Sequence, residues 1–285
     1  MVEAAHFESW ENAVLWLRNQ PARSQLVLDA FYDDPLIAAA ERYRRSDEWQ
    51  AICEFLHGRT GQALDVGAGR GIASYALAQE GFQVTALEPD PSAIVGAGAI
   101  RALAVEAALP IRVVEEVSER LPFADGAFDV VFARAVLHHM SDLNRACCEM
   151  HRVLAPGGIL VAAREHVISR EADLSRFLDR HPLHHLYGGE HAFLLDRYID
   201  ALKAAGFASL EVLPPLQSPI NLFPYTIESL RDAIIEKVSQ RIPAKPLLRL
   251  ALCSDRVFQS LLSLAGHFDN RPGRLYSFVG RKAAS

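Results

Sequence analysis

Cysteine is scarce in this chain. There are four in 285 residues, Cys53, Cys147, Cys148 and Cys253, with no Cys-x-x-Cys pair and no zinc-finger spacing. That excludes a disulfide-stapled scaffold and a structural zinc module, and the thiols read as reduced, packed side chains. Long apolar runs are missing as well. No uninterrupted stretch approaches the ~18 to 20 residues that cross a bilayer, and the opening MVEAAHFESWENAVLW has no basic segment followed by an apolar one. Neither a membrane span nor a signal peptide is expected, and the expected location is cytoplasmic. Positive charge is not in excess: 29 Lys and Arg face 35 Asp and Glu, for a formal charge of -6. This offers no overall attraction to phosphate backbones or anionic lipid, so neither nucleic acid nor a membrane is an expected partner. Internal repeats and low-complexity tracts are also absent.

What is present is enough apolar material for a large core, since half of the residues are hydrophobic. Residues 7–56 repeat their apolar side chains at three and four, with Pro21 and Pro35 breaking the run into separate helices. Then the rhythm changes. The short apolar run Ala63 to Val66 ends in glycines and passes into a helical IASYALAQEG; QVTALEP is a second strand, and Pro91 to Glu106 reads as helix. IRVVEEV and AFDVVFARA are strand-like, Asp142 to Leu154 is an amphipathic helix, and ILVAARE is a fifth strand. Strands alternating with helices of this length imply βαβ units and a parallel sheet. After Glu165 a His-rich stretch interrupts the pattern, which resumes with AFLLDRYIDALKAAGF and SLEVLP before a second, mostly helical intrusion and a last strand, RLYSFVGRK. The expected architecture is an α/β, Rossmann-like, seven-stranded and mostly parallel sheet with helices on both faces. A helical cap over residues 1–57 precedes a domain over 58–285, with insertions at about 166–192 and 214–273.

The segment Asp65-Val66-Gly67-Ala68-Gly69-Arg70-Gly71 is the most informative. Glycines let the chain turn sharply and let a ligand approach without meeting a Cβ. The loop feeds a helix N-terminus, which favours a negative or polar ligand group. Such a loop could belong to several nucleotide-binding families or be a plain strand-to-helix turn. Its spacing is Gly-x-Gly-x-Gly, with Ile72 where the dinucleotide fingerprint needs its third glycine, and this disfavours NAD. Glu88 closes the second strand about 20 residues later, where a carboxylate can accept both hydroxyls of a ribose.

Taken in order, ALDVGAGRG, ALEPD, LPFADGAFDVVFARAVLHH and RVLAPGGILV resemble the class I S-adenosylmethionine-dependent methyltransferases, in particular the small-molecule group that includes ubiquinone and menaquinone biosynthetic methylases. The resemblance covers about residues 60–165 and, through the last helix and strands, much of the remainder. It implies that Asp65, Gly67, Ala68, Gly69 and Gly71 line the methionine part of S-adenosylmethionine, with Asp65 orienting its ammonium group. It further implies that Glu88 holds the ribose diol and that Pro89 packs on adenine. Val117 and Ser118 then sit at the adenine edge, and Ala133 and Arg134 beside the methionine moiety. The aspartate usual in the family's adenine-reading position is not found in Glu116-Val117-Ser118-Glu119.

Methyl transfer from a sulfonium needs alignment and exclusion of water, and an oxygen acceptor benefits from a general base, most often His. Of 11 His, His138 and His139 follow the fourth strand, His166 follows the fifth, and His181, His184, His185 and His191 lie in HPLHHLYGGEHAF. The candidates for the base are His139, His185 and His184, and the insertion that carries the last two is expected to form a loop over the acceptor pocket. A metal held by His184, His185, Glu190 and His191 is the weaker reading, so no metal site is expected. The N-terminal FYDDPLIAAAERY is expected to cover the cofactor. The resulting expectation is methyl transfer to a small-molecule acceptor, at oxygen. A non-catalytic S-adenosylmethionine-binding or regulatory protein, or an NAD-dependent oxidoreductase, are the alternatives.

Overall fold

The computed structural model describes residues 7–240, 249, 252 and 254–284. Its eight strands are β1 (Gln62–Val66), β2 (Gln83–Leu87), β3 (Arg112–Val114), β4 (Phe128–Arg134), β5 (Leu154–Ile168), β6 (Phe193–Leu194), β7 (Ser209–Leu213) and β8 (Arg274–Arg281). They form one sheet in the order β3-β2-β1-β4-β5-β8-β7, and β6 pairs with β5 off this path. Strands β1 to β5 run parallel, whereas β8 is antiparallel to both β5 and β7. The seven strands expected from the sequence are these without β6, a two-residue strand just after the first insertion, at the start of AFLLDRYIDALKAAGF, that pairs with the far end of β5.

The central strands are apolar on both faces because both faces are covered. Successive side chains point to opposite sides. Leu64, Val131, Leu160 and Ala162 pack on Met150 and Val153 of the helix Leu143–Val153 and on Tyr198 and Leu202 of the helix Leu195–Ala204. Ala63, Val130, Phe132, Ile159 and Val161 face the other way, onto Leu77 of the helix Ile72–Gln79 and onto Trp49, Ile52 and Leu56 of the helix Asp47–Leu56. The N-terminal cap therefore shares the core of the sheet. Its other helices are Trp10–Arg18, Ser24–Asp29 and Leu36–Arg44, and the breaks fall at Pro21, which opens a 3-10 turn, and at Pro35, the residue before the third helix.

Several boundaries differ from expectation. The helix after β2 begins only at Ala97, because the Ser92 hydroxyl accepts the Ile94 and Val95 N–H groups and holds the preceding residues in a turn. Strand β5 runs past Glu165 to Ile168, and the extension pairs with β8 and β6. In the second insertion the helix Ile227–Ser239 carries a capping box between Thr226 and Ser229. A further helix of this insertion is Asp255–His267, and Cys253 lies outside the described residues.

Strand β1 sits between β2 and β4, so the chain leaves it in one direction and returns on the other side. At such a switch point the connections diverge and open a crevice beyond the carboxyl ends of the strands. Residues after β1, β2, β4 and β5 meet there.

Candidate active site

The crevice contains a cavity of about 600 Å³, lined from Asp65, Gly67, Gly69 and Glu88 at one end to His138, His166, His181 and Glu190 at the other. At the first end Gly67 has φ +62, and a Cβ on it would stand 2.7 Å from Val136 Cγ2, so the turn after β1 presses against the turn after β4. A Cβ on Gly69 would meet nothing within 4 Å, because this residue faces the open cavity. Its N–H donates to Glu88 Oε2 at 2.7 Å, and the Asp90 N–H donates to Glu88 Oε1 at 3.0 Å. Glu88 is thus fixed with lone pairs left on both oxygens, and burial raises its pKa against those two hydrogen bonds.

Asp65 is 1% exposed, and its Oδ2 accepts the Ser74 hydroxyl at 2.6 Å. Burial pushes its pKa up to about 7; the Ser74 hydrogen bond opposes the rise and the Glu88 charge adds to it. A carboxyl held in this condition favours a cation brought to it by a ligand.

Pro89, Ala68, Val117 and Ser118 also line the cavity; Val117 is half exposed, while Ser118 is buried with its hydroxyl donating to Met140 Sδ at 2.7 Å. Two expected residues are not in the wall. Gly71 packs towards Ile100 at the helix N-terminus, and Ala133 is fully buried within β4 between Val66 and Ala162. Arg134 borders the cavity, but its guanidinium is engaged: Nε and a terminal nitrogen donate to the two oxygens of the fully buried Glu48 at 2.6 and 3.0 Å, and the group lies over the Tyr43 and Phe31 rings. It ties the cap to the sheet.

Arg70, not singled out in the sequence, does the same for the roof. Buried beside the glycine loop, it donates to the carbonyls of Phe31, Asp33 and Ile94 and to Asp34 Oδ1. Phe31 and Tyr32 line the cavity, so the FYDD segment lies over it, held from below by Arg70.

At the other end two non-glycine residues lie in the left-handed region, Ala135 just after β4 (φ +55) and Arg164 within β5 (φ +63), and the ladder of β5 with β8 is irregular between Ala162 and Glu165. The kink turns Glu165 inward, with no exposure. Its Oε1 accepts the N–H groups of Val136 and Leu137, each at 3.1 Å, and its Oε2 accepts the His138 N–H at 3.0 Å and lies 2.7 Å from His138 Nδ1. One carboxylate therefore shapes the turn after β4 and aims the His138 ring. His138 Nε2 then faces Glu190 Oε2 at 3.7 Å, and His139 Nε2 lies 3.9 Å from the same oxygen. His139 Nδ1 donates to the Gly189 carbonyl at 2.9 Å, and His166 Nδ1 to that of Gly273 at 3.0 Å. His181 Nδ1 is 3.8 Å from Glu190 Oε1.

Burial alone would lower the His138 pKa, but Glu165 and Glu190 outweigh it and raise it to about 9. Burial likewise opposes ionisation of Glu190, yet His138 and the neighbouring imidazoles hold it down to about 2. The pKa values of His139, His166 and His181 are lowered, mainly by burial.

Of the expected bases only His139 lines the cavity. His184 and His185 lie in the short helix His184–Tyr187 outside the wall; His185 Nε2 bonds the Asp179 carbonyl at 2.9 Å, and His184 Nδ1 is buried without a partner. The insertion still reaches the site through His181, Leu183 and Glu190, and its Leu186 carbonyl accepts the Phe7 N–H of the cap. Glu165 was not singled out in the sequence, although charged Arg-Glu-His inside an apolar strand at the switch point is a signal that could have found it.

A family model described as a methyltransferase domain matches residues 64–162. Residues 64–162 therefore carry a methyltransferase domain. An uncharacterized methyltransferase of Mycobacterium sp. (strain JLS) is 38% identical over 117 residues, which are 41% of this chain and 43% of that one. A ubiquinone biosynthesis O-methyltransferase of Methylobacterium sp. (strain 4-46) is 34% identical over 100 residues, 35% of this chain and 39% of the relative. The chain thus spans less than half the length of these curated relatives. Among solved structures, the phosphoethanolamine N-methyltransferase 2 of Haemonchus contortus, in complex with phosphomonomethylethanolamine and S-adenosylhomocysteine, has a TM-score of 0.57 at 18% identity, covering 97% of this chain and 61% of that one. The [4+2]-cyclase SpnF has a TM-score of 0.54 at 23% identity, covering 87% and 82%. These two share the fold. The methyltransferase domain match takes in the glycine loop, Glu88, His138 and His139 and ends before Glu165, His166 and Glu190.

Proposed function

We propose that the protein transfers a methyl group from S-adenosylmethionine to an oxygen of a small-molecule acceptor. The observation that carries this reading is the continuity of the cavity, which has Glu88 and the glycine loop together with the imidazoles and Glu190 in a single lining. The first end suits the donor. Glu88 offers lone pairs for the ribose diol, Gly69 leaves room for a ligand, and the buried Asp65 carboxyl suits a cationic amino-acid tail. When bound, the donor supplies an electrophilic methyl group on sulfur.

The protein's task is then alignment and removal of water. Arg70 fastens Phe31 and Tyr32 over the donor end, and the cap and the insertion roof the rest. At the acceptor end His139 presents Nε2 to the cavity, because its Nδ1 proton is given to the Gly189 carbonyl. That lone pair can receive the hydrogen of an acceptor hydroxyl and help draw it off as the oxygen is methylated. A roofed cavity of about 600 Å³ suits a small molecule better than a polymer.

The test is calorimetry with S-adenosylmethionine, S-adenosylhomocysteine and NAD, followed by turnover of labelled methyl donor on a panel of hydroxylated metabolites. Binding of both adenosyl ligands but not NAD, with label recovered in a methyl ether, is the expected result. Because a cyclase shares this fold, donor binding without any methylated product would refute the catalytic reading, and preference for NAD would refute the donor site.

A further inference from the structure

We propose that His138, His139 and Glu190 form a binding site for one divalent transition-metal ion of the zinc, cobalt or nickel kind. Each residue brings one ligand atom, and the three atoms lie within 4.8 Å of one another. His138 Nε2 and His139 Nε2 stand 3.7 and 3.9 Å from Glu190 Oε2. Metal bonds of about 2.0 to 2.2 Å put neighbouring ligand atoms of a tetrahedral site about 3.4 Å apart. The two His–Glu190 pairs therefore close by only a few tenths of an ångström to grip an ion, and the two imidazole nitrogens lie within 4.8 Å of each other. Two imidazoles and a carboxylate select a borderline-soft dication over magnesium or calcium, which prefer all-oxygen sets.

The surroundings of the ligands are those of a prepared site. A carbonyl only accepts, so the Gly189 carbonyl at 2.9 Å from His139 Nδ1 fixes the proton there and leaves Nε2 with its lone pair. Glu165, 2.7 Å from His138 Nδ1 and fully buried, holds a proton on that nitrogen while also accepting three backbone N–H groups, so Nε2 is the nitrogen that gives up its proton when His138 takes an ion. A ligating imidazole whose other nitrogen donates to a carboxylate or a carbonyl is the usual support of a metal site. A second trio, His166, His181 and Glu190, is also close enough. It is the weaker set, because His181 Nδ1, its nitrogen nearest Glu190, already accepts the His184 N–H at 3.3 Å. None of these residues except His138 and His139 lies in the matched methyltransferase segment.

Three protein ligands leave coordination positions open, and all three residues line the cavity. The inference deepens the methyl-transfer reading and rests on it for the role of the ion: an acceptor oxygen would take an open position, and the ion would replace the contact that His139 makes with the hydroxyl in its absence.

The test uses the full chain freed of metal by chelator dialysis, titrated with Co²⁺ by visible ligand-field absorption and with Zn²⁺ by calorimetry. One equivalent is expected. His139→Gln and Glu190→Gln each weaken it by at least about tenfold, Glu165→Gln by about 10- to 100-fold, and His185→Ala leaves it unchanged. The His139 side chain is 41% exposed, so its replacement spares the core, and thermal unfolding checks the fold of every variant. No saturable equivalent up to millimolar Co²⁺ overturns the proposal. So does binding that survives in His139→Gln and Glu190→Gln but is lost in His181→Gln. Calorimetry of S-adenosylmethionine on the same metal-free protein separates the two readings: intact donor binding without metal binding removes the ion alone.

Discussion

Replacing Asp65 by Asn should make the ligand-free protein more stable and the donor complex weaker. The Asp65 carboxyl rises from its ordinary 3.8 to about 7, chiefly through burial. The folded chain therefore keeps a proton that the unfolded chain has already released between those two values. By linkage, the stability of the ligand-free protein falls as pH climbs through that window and levels off above about 7. At about 1.4 kcal/mol per tenfold change, the full cost at pH 8 is on the order of 4 kcal/mol, of which about 2.5 develops between pH 5 and pH 8. An amide carries no charge to desolvate, and its oxygen can still accept the Ser74 hydroxyl. Denaturant unfolding at pH 5 and pH 8 should therefore show Asp65→Asn gaining on wild type by about 2 kcal/mol more at the higher pH. The donor brings a sulfonium and an ammonium, which favour the ionised carboxylate, so wild-type affinity should drop as pH falls below 7, with proton release visible in buffers of different ionisation enthalpy. The variant should bind more weakly and lose that pH dependence. A variant less stable than wild type at both pH values, with unchanged donor affinity, would refute the reasoning.

Four further outcomes are expected. Glu88→Ala removes the acceptor of the Gly69 N–H and the pair of oxygens facing the cavity, and calorimetry should show donor affinity at least about tenfold lower, or 1.4 kcal/mol. Gly67→Val places a Cβ 2.7 Å from Val136 at φ +62, so thermal unfolding should register a loss on the order of 2 to 3 kcal/mol before binding is considered. Arg70→Met releases the carbonyls of Phe31 and Asp33; limited proteolysis near residues 31–34 should quicken and the KM for the donor should rise severalfold, and an unchanged digestion pattern would count against the clamp. His139→Gln should lower turnover at least tenfold with donor affinity kept, whereas His185→Ala, outside the cavity, should leave turnover as it is.

The end of the cavity proposed for the donor could be read along the chain because its parts are local. A glycine loop between a strand and a helix occupies seven consecutive residues, and the acid at the end of the next strand follows at a distance set by one βα unit. Asp65, Gly67, Gly69 and Glu88 are consequently found where their spacing puts them. The alternation of short apolar runs with amphipathic helices likewise determined the strand sequence and its parallel sense, since only a sheet covered on both faces tolerates strands as apolar as β1, β4 and β5.

The acceptor end was decided by tertiary structure. The sequence presents seven histidines after the fourth and fifth strands as near equals, and adjacency favours pairs such as His184 and His185. Which of them face the cavity depends on an irregular β5, whose kink buries Glu165 under the turn after β4 and so aims His138 inward. It depends equally on the fold of the insertion, which carries Glu190 across some 50 residues of chain to meet them. Such contacts join residues distant in sequence through backbone turns that no periodicity encodes. The same holds for Arg70 and Arg134, whose charges fasten the cap to the glycine loop and the sheet. Local spacing determined which residues line one end of the cavity; long-range packing determined which line the other.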